Sequence, residues 1–229
     1  MQDFAYDAVR NAIYIADLGL SDEPTESGAP ALVALDLETG RTRRVIEDHH
    51  SVLPEAGVDP VIEGEPVVQE NEDGDLEAIS AGLDGVTIDP FFEWVYFCAM
   101  TGRSVYRVRA ADLLDESLTG AELDERIERY GEKAICDGIT IDTAGNVYIT
   151  DMTNNAIGVT RSSGEYEVLA RNDEKVLWPD GFCCGPDDHI YFTVSQLHRA
   201  PPFNKGEEVS YTSFELFRFE SLAPVTVGR

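Results

Sequence analysis

A short pattern occurs three times along the sequence, and it constrains the fold more than any other feature. Each copy begins with Asp-Gly, at Asp84, Asp137 and Asp180, and continues as a short apolar strand that ends in a turn. A second apolar strand then contains a tyrosine, which lies 10 or 11 residues after the glycine in every copy. A divergent copy opens the chain, with Tyr14 in its second strand. Repetition at this scale is typical of folds built from similar stacked units.

The second half of the unit also repeats. Residues 32–46 and 156–169 each contain two short strands joined by a turn with glycine, so a unit holds four strands. Successive Asp-Gly pairs are 53 and then 43 residues apart, a spacing typical of four-stranded propeller blades. We therefore predict an all-β fold, a β-propeller of the six-bladed type, with about four blades in this chain. A single partial domain is expected, with blades at residues 1–50, 84–136, 137–175 and 180–220.

Two stretches interrupt the repeat. Residues 110–132 place leucines among acidic residues, a pattern that predicts one or two short amphipathic helices inserted in the second blade. Residues 59–77 are acidic and rich in Pro and Gly, which predicts an irregular surface loop. Neither stretch resembles a linker between domains.

The charge balance excludes several classes of partner. The chain has 44 acidic and 17 basic residues, a formal net charge of −27, so it repels nucleic acids and anionic membranes. No stretch approaches the roughly 18–20 apolar residues of a membrane-spanning helix. The first residues show neither a basic nor an apolar region, so no signal peptide is visible.

The four cysteines do not predict a metal site. Cys98, Cys136, Cys183 and Cys184 form no C-x-x-C pair and have no histidine cluster beside them, which argues against zinc. We expect free, mostly buried thiols. Cys183 and Cys184 are adjacent in an apolar strand, so their side chains should point to opposite faces of the sheet.

Several stretches together resemble one known family. They are residues 12–17, 83–86, 148–158, 178–181 and 195–199. In order and spacing they are similar to the major royal jelly protein and yellow family, including its bacterial members. The resemblance covers essentially the whole chain. It implies a six-bladed propeller with a ligand site at the central channel, and a secreted or periplasmic protein. Members include pigmentation proteins, jelly nutrients and salivary amine binders, so the family implies no single activity.

The three repeated aspartates are the first candidates for chemistry. In a propeller the innermost strands line the channel, so Asp84, Asp137 and Asp180 should converge there. Three carboxylates would suit a hard cation such as Ca²⁺, or equally a cationic amine. Alternatively, Asp-Gly is a common turn pair, and each aspartate would then only cap its own loop. The resemblance extends to gluconolactonase-like propellers, where Pro-Asp-Gly holds a divalent metal. It makes Asp180 the best metal candidate and Asp137, where those proteins commonly have asparagine, the second.

A second polar group follows the strands of the last two units. Asp151, Asn154 and Asn155 lie in one predicted loop, and Gln196 and His198 lie in the equivalent loop of the next unit. Loops at one face of a propeller often carry binding residues, although Asn and Asp are also ordinary turn formers. His198 is the one candidate general acid or base.

Two hypotheses for the function follow. The first is a small-molecule-binding propeller whose acidic channel holds a cationic or aromatic ligand. The second is a divalent-metal-dependent, lactonase-like hydrolase or a dopachrome tautomerase-related isomerase. The chain has no Gly-x-Ser-x-Gly, no phosphate-binding glycine loop and no His-Glu-x-x-His, so serine hydrolase, nucleotide and zinc protease functions lack support.

The start of the chain also leads to an expectation. Gln2 stands where the later units have aspartate, and the first unit begins abruptly. An incomplete ring leaves apolar blade faces uncovered. We therefore expect about two further blades upstream, an open arc of blades in this chain, and self-association through its exposed edges.

The acidic excess predicts a strong response to salt. Only three of the basic residues are lysines, and a highly acidic, lysine-poor chain is typical of proteins that work in high salt. Screening relieves self-repulsion, because the Debye length shortens to about 3 Å at 1 M salt. Thermal melts from low salt to molar KCl should therefore show a steep rise in Tm. A flat response would contradict the halophilic interpretation.

Overall fold

Four small antiparallel sheets surround one axis, and each is a propeller blade whose strands follow one another in chain order. The computed structural model describes residues 2–19, 29–70, 74–210 and 214–228. This arrangement confirms the all-β propeller prediction. No helix in these ranges is long and apolar enough to cross a membrane.

The first blade and two hairpins occupy the first third of the chain. The blade consists of β1 (Phe4–Asp7), β2 (Ala12–Asp17), β3 (Ala31–Asp36) and β4 (Thr42–Glu47). The hairpins consist of β5 (Val61–Ile62) with β6 (Glu65–Pro66), and β7 (Val68–Glu70) with β8 (Leu76–Ala78).

The remaining blades follow directly. The second contains β9 (Leu83–Ile88), β10 (Trp94–Ala99), β11 (Ser104–Arg109), the helices α1 (Ala110–Leu114) and α2 (Gly120–Asp124), and β12 (Glu128–Glu132). The third contains β13 (Cys136–Ile141), β14 (Val147–Asp151), β15 (Ala156–Thr160) and β16 (Tyr166–Arg171). The fourth contains β17 (Pro179–Cys184), β18 (His189–Val194), the 3₁₀ turns Leu197–Arg199 and Pro201–Phe203, and β19 (Leu216–Glu220).

In the two repeats that have a second aspartate, the two aspartates have different roles. Asp89 and Asp142, which follow the innermost strands, accept hydrogen bonds from backbone N–H groups of the next turn at 2.9–3.1 Å. Asp7 does the same in the first blade at 3.0 Å. These side chains close the hairpins, as short polar residues do in turns. The aspartate at the start of each repeat is not used in this way.

The Asp-Gly pairs lie inside strands, so the alternative in which they form turns is wrong. Asp84 and Asp137 are the second residues of β9 and β13. Glycine is needed at 85 and 138 because the innermost strands approach closely there. A Cβ on Gly138 would lie 2.6 Å from the Asp180 carbonyl oxygen, and one on Gly85 would lie 3.2 Å from the Asp137 carbonyl oxygen. At these two positions the repeated glycine is therefore explained by close packing of neighbouring backbones.

Apolar residues from consecutive blades pack together and fix the blade positions. One buried cluster joins the first and second blades, another the second and third, and two more the third and fourth; their members include Tyr14 with Phe97, Cys98 with Ile149, Tyr148 with Ile190, and Ile157 with Phe192. These residues alternate along their strands with residues on the opposite face.

The seam between the fourth and first blades is different. Within the described ranges, no contact comparable to those of β9 with β13 or β13 with β17 joins β17 to β1. Phe4 and Tyr6 on β1 remain 57% and 47% exposed. The fourth blade has three strands in the described part of the chain. Self-association through this seam stays a prediction.

The two interrupting stretches are more ordered than predicted. Residues 59–77 do not form a plain surface loop, because the two hairpins lie there and bury Ile62 and Val67 against Trp178 and Met152. We call this layer, residues 58–70 and 74–81 with the 3₁₀ turns of the fourth blade, the cap. In the 110–132 insertion the two helices form, but its end becomes the outermost strand β12.

Close packing at the axis makes a specific prediction. The change Gly138→Ala should lower the free energy of unfolding by about 1–3 kcal/mol, because its Cβ would press on a backbone carbonyl that cannot rotate away. Chemical denaturation measures this loss. Gly181→Ala is the matched control, because its nearest neighbour would be the Thr193 hydroxyl at 4.0 Å. Equal losses in both variants would contradict the account.

Candidate functional site

A cavity of about 490 Å³ runs along the four innermost strands. Because these strands run along the axis, residues at their starts line one end of the cavity and the turns after them line the other. Acidic side chains from all four blades occupy the first end: Asp3, Asp84, Asp137 and Asp180. The structure therefore brings together the three aspartates predicted from the repeat and adds a fourth.

Asp84 is the most deeply buried of the four. It is only 3% exposed, and its Oδ2 has no hydrogen-bond donor among the described residues. The nearest ionisable group is Asp137, which lies within hydrogen-bonding reach. Two carboxylates cannot share a buried site unless a proton or another cation lies between them. The pair therefore needs a proton or another cation at the axis.

Burial raises the pKa of all four aspartates, and repulsion from a neighbouring aspartate adds to the rise for Asp3, Asp84 and Asp137. Burial raises the pKa of Asp3 to about 6 and the pKa of Asp137 to about 7, with the charge of Asp180 adding to both. Burial, followed by the charge of Asp137, holds the pKa of Asp84 well above its usual value. Burial also raises the pKa of Asp180, while a hydrogen bond from Ser195 opposes the shift. The cluster thus holds protons near neutral pH.

Asp3 joins the site although it does not align with the other three aspartates. In the strand register Ala5 pairs with Tyr14 as Thr87 pairs with Tyr96, which puts Gln2 in line with Asp84. The Asp3 carboxylate turns toward the second blade, where it accepts hydrogen bonds from the N–H groups of Phe4 at 2.7 Å and Val86 at 3.3 Å. Alignment of the repeat places Gln2, rather than Asp3, at the position of the other aspartates. The sequence signal that could have identified Asp3 was its acidic side chain next to that position.

Trp178 connects the acidic end of the cavity to the cap. Its indole Nε1 donates a hydrogen bond of 2.6 Å to Oδ2 of Asp137, and this bond opposes the rise of the Asp137 pKa. The ring is 1% exposed and stacks on His198 at a centroid distance of 6.1 Å. The tryptophan therefore orients one carboxylate and links it to the cap.

Aromatic side chains line much of the remaining wall. Phe4 and Tyr6 come from β1, Phe92 from the turn after β9, and Phe182 from β17. The last described residues, 226–228, also line the cavity, and the Gly228 N–H donates to the Cys184 carbonyl at 2.9 Å. The cavity thus has an acidic end and an aromatic wall.

The loop residues after β14 lie away from the cavity and stabilise their own turn. Asp151 is fully buried and accepts hydrogen bonds from Tyr166 at 2.6 Å and from the Asn154 side chain at 2.7 Å. Asn155 adopts a left-handed conformation with φ of 50°, and its amide lies 3.5 Å from Asp173. For these three residues the structure shows structural roles, and a contribution to binding stays a prediction.

His198 lies in the cap, and Gln196 directly precedes the first 3₁₀ turn of the cap, so a contribution of Gln196 to binding stays a prediction. Gln196 is 3% exposed and precedes a 3₁₀ turn with φ of 53°. His198 Nε2 bonds to Glu63 at 3.0 Å, and Arg199 also pairs with Glu63. Burial lowers the pKa of His198, although Glu63 opposes the shift. His198 reaches the acidic end only through Trp178, so no direct proton transfer to a channel ligand follows from its position.

The carboxylates offer the oxygen atoms that Ca²⁺ prefers. However, no three His, Cys, Asp or Glu side chains in the described ranges are arranged to hold a metal ion. Asp137 and Asp180 therefore remain candidate ligands without a third partner in metal-binding geometry.

Comparisons with solved structures show similarity at low identity. Hydrazine synthase of Kuenenia stuttgartiensis aligns with a TM-score of 0.52 and 12% identity, over 95% of this chain and 45% of that one. A gluconolactonase of Xanthomonas campestris aligns at 0.45 and 17%, over 62% and 45%. Virginiamycin B lyase of Staphylococcus aureus aligns at 0.41 and 16%, over 96% and 70%. The chain spans less than half of the first two proteins, and the similarity to hydrazine synthase, at 12% identity, shows the fold alone.

Sequence comparison gives the family. No curated protein matches the chain. Residues 13–200 match the family model described as Major royal jelly protein, which confirms the resemblance seen in the sequence motifs. Since this match covers most of the propeller described above, the chain belongs to the major royal jelly protein family.

Proposed function

We propose that this propeller binds a small organic cation in its central channel. The proposed ligand is an aryl-alkylamine, an amine joined to an aromatic ring by a short alkyl chain. The observation that carries the proposal is the set of four aspartates, one from each blade, around a cavity in which the buried Asp84 Oδ2 has no donor in the described part of the chain. A protonated amine supplies the donors and the positive charge that this end of the cavity lacks.

Electrostatics favour a cation over a neutral ligand. Burial and the charge of Asp180 raise the pKa of Asp3 to about 6 and that of Asp137 to about 7, so negative charge on either side chain is unfavourable without a cation nearby. A cation placed among these carboxylates removes the repulsion and leaves them ionised. Charge-assisted hydrogen bonds of this kind are roughly twice as strong as neutral ones.

The aromatic wall indicates the chemistry of the rest of the ligand. From Asp84 to the far end of β9 the channel extends about 13 Å, at about 3.3 Å per residue. Phe4, Phe92 and Phe182 offer apolar and aromatic surface over this length. A cavity of about 490 Å³ lies within the range of small-molecule sites. An aryl-alkylamine would place its ammonium group at the aspartates and its ring against these side chains.

The binding proposal predicts a pH dependence. Calorimetric titration with 2-phenylethylamine should show tighter binding at pH 8 than at pH 5, by about tenfold or more. The amine stays protonated over this range, whereas Asp3 and Asp137 lose their protons near pH 6 and 7 and can then accept its hydrogen bonds. Neutral 2-phenylethanol should bind weakly at both values. Affinity for the amine that is independent of pH would contradict the proposal.

Asp84→Asn separates loss of binding from loss of folding. The folded-state pKa of Asp84 is raised, so its charge destabilises the fold at pH 8 and is absent below the unfolded value of about 4. The variant should therefore have a higher Tm than the native chain at pH 8, with a difference that shrinks toward pH 4, while amine binding falls. Glu125→Gln, an exposed site, controls for net charge and should change neither property.

Calcium binding distinguishes the proposed amine site from the alternative hypothesis of a metal-dependent enzyme. The same titration with CaCl₂ should show no binding at millimolar concentration if the channel is an amine site. Sub-millimolar calcium binding that is lost in Asp180→Asn, without amine binding, would overturn the proposal in favour of a metal-dependent enzyme.

A further inference from the structure

Two buried thiols face each other across the boundary between the second and third blades. The Sγ atoms of Cys98 in β10 and Cys136 in β13 are 3.7 Å apart, and both residues are 0% exposed. They are 38 residues apart in sequence. A disulfide needs a sulfur separation of about 2.05 Å, so each sulfur has to move by only about 0.8 Å. Packing between two blades has placed these thiols in direct contact with each other.

We propose that Cys98 and Cys136 form a modification site, at which an inter-blade disulfide closes when the chain folds in the presence of a disulfide oxidant. The separation and burial of the two sulfur atoms support this proposal. It is independent of the proposed amine binding.

The chemistry is thiol–disulfide exchange with oxidised glutathione. The thiolate of one cysteine attacks a glutathione sulfur, the glutathione S–S bond breaks, and one glutathione thiolate leaves. The second cysteine then attacks the protein sulfur of the mixed disulfide and displaces the other glutathione. Two electrons pass from the protein thiols to glutathione, and the two thiol protons go to solvent or to the released thiolates.

Burial determines when the exchange happens and what protects its product. In the folded chain neither sulfur contacts solvent, so the exchange takes place while the chain folds and the thiols are still accessible. Once the blades have packed, the same burial shields the disulfide from reductants. The bond would then be kinetically stable in the native state and readily reduced only after unfolding.

The other two cysteines provide an internal comparison. Cys183 is exposed, whereas Cys184 is buried and lies 3.5 Å from the Thr140 hydroxyl. Their side chains point to opposite faces of β17, as predicted from their adjacency. Neighbours on one strand cannot easily pair with each other, so Cys183 should react as an isolated surface thiol.

The crosslink would join the backbone on either side of the acidic pair. Cys98 pairs with Gly85 in the β9–β10 ladder, one residue from Asp84, and Cys136 directly precedes Asp137. A covalent bond here holds the second and third blades together at the axis. Closure of a loop this long restricts the unfolded chain and raises stability.

The experiment is refolding of the denatured, reduced chain in a buffer of reduced and oxidised glutathione. Peptide mapping should recover Cys98 linked to Cys136, with the intact mass lower by about 2 Da once glutathione on Cys183 is accounted for. The product should resist dithiothreitol in buffer and lose its crosslink in dithiothreitol with guanidinium. Its Tm should exceed that of the reduced chain by about 5–10 °C.

Variants make the result specific. Cys98→Ser should abolish the mass change and the Tm gain, whereas Cys183→Ser should retain both. Recovery of Cys98 and Cys136 as free thiols from correctly refolded native chain would overturn the proposal. Pairing of either one with Cys183 or Cys184 instead would overturn it as well.

Discussion

Close approach of the innermost strands at the propeller axis is the constraint on which the rest of this structure depends. The backbone at Gly138 comes so near the Asp180 carbonyl that a Cβ would lie 2.6 Å from it. Only glycine fits there. The residue before each glycine then lies beside its equivalents in neighbouring blades. Close packing therefore explains the glycines at 85 and 138, and the same convergence of strands gathers the aspartates into a single cavity.

The gathered aspartates work against stability. Four acidic side chains share the cavity, and the pKa of Asp84 and Asp137 is raised because burial and repulsion penalise their charges. A fold that needed only a packed axis would place apolar or amide side chains there. Costly polar groups tend to be retained at functional sites, and this is the physical basis for proposing a cationic ligand. The same reasoning does not extend to Asp151, which is fully satisfied by its turn.

The sequence predicted the blades because their signals are local. Apolar alternation, turn glycines and the repeated tyrosine indicated the four sheets, and the Asp-Gly repeat indicated three of the four channel acids. Asp3 was missed because it enters the site through a side-chain rotation toward the next blade, which alignment does not show. Residues 59–77 were expected to be a surface loop because their buried positions, such as Ile62, contact distant segments. His198 aligns with a loop position, yet it packs in the cap, where Trp178 lies between it and Asp137.

The most direct test of this account is a ¹³C NMR titration of the aspartate carboxyl groups in the native chain. The account predicts that at least two aspartates titrate well above the usual aspartate range with interacting curves, and that Asp84→Asn removes one of these titrations. It also predicts that saturating aryl-alkylamine shifts the remaining high values downward. Titration of every aspartate below about pH 5 would show that the channel carboxylates are solvated and independent, and would contradict the central claim.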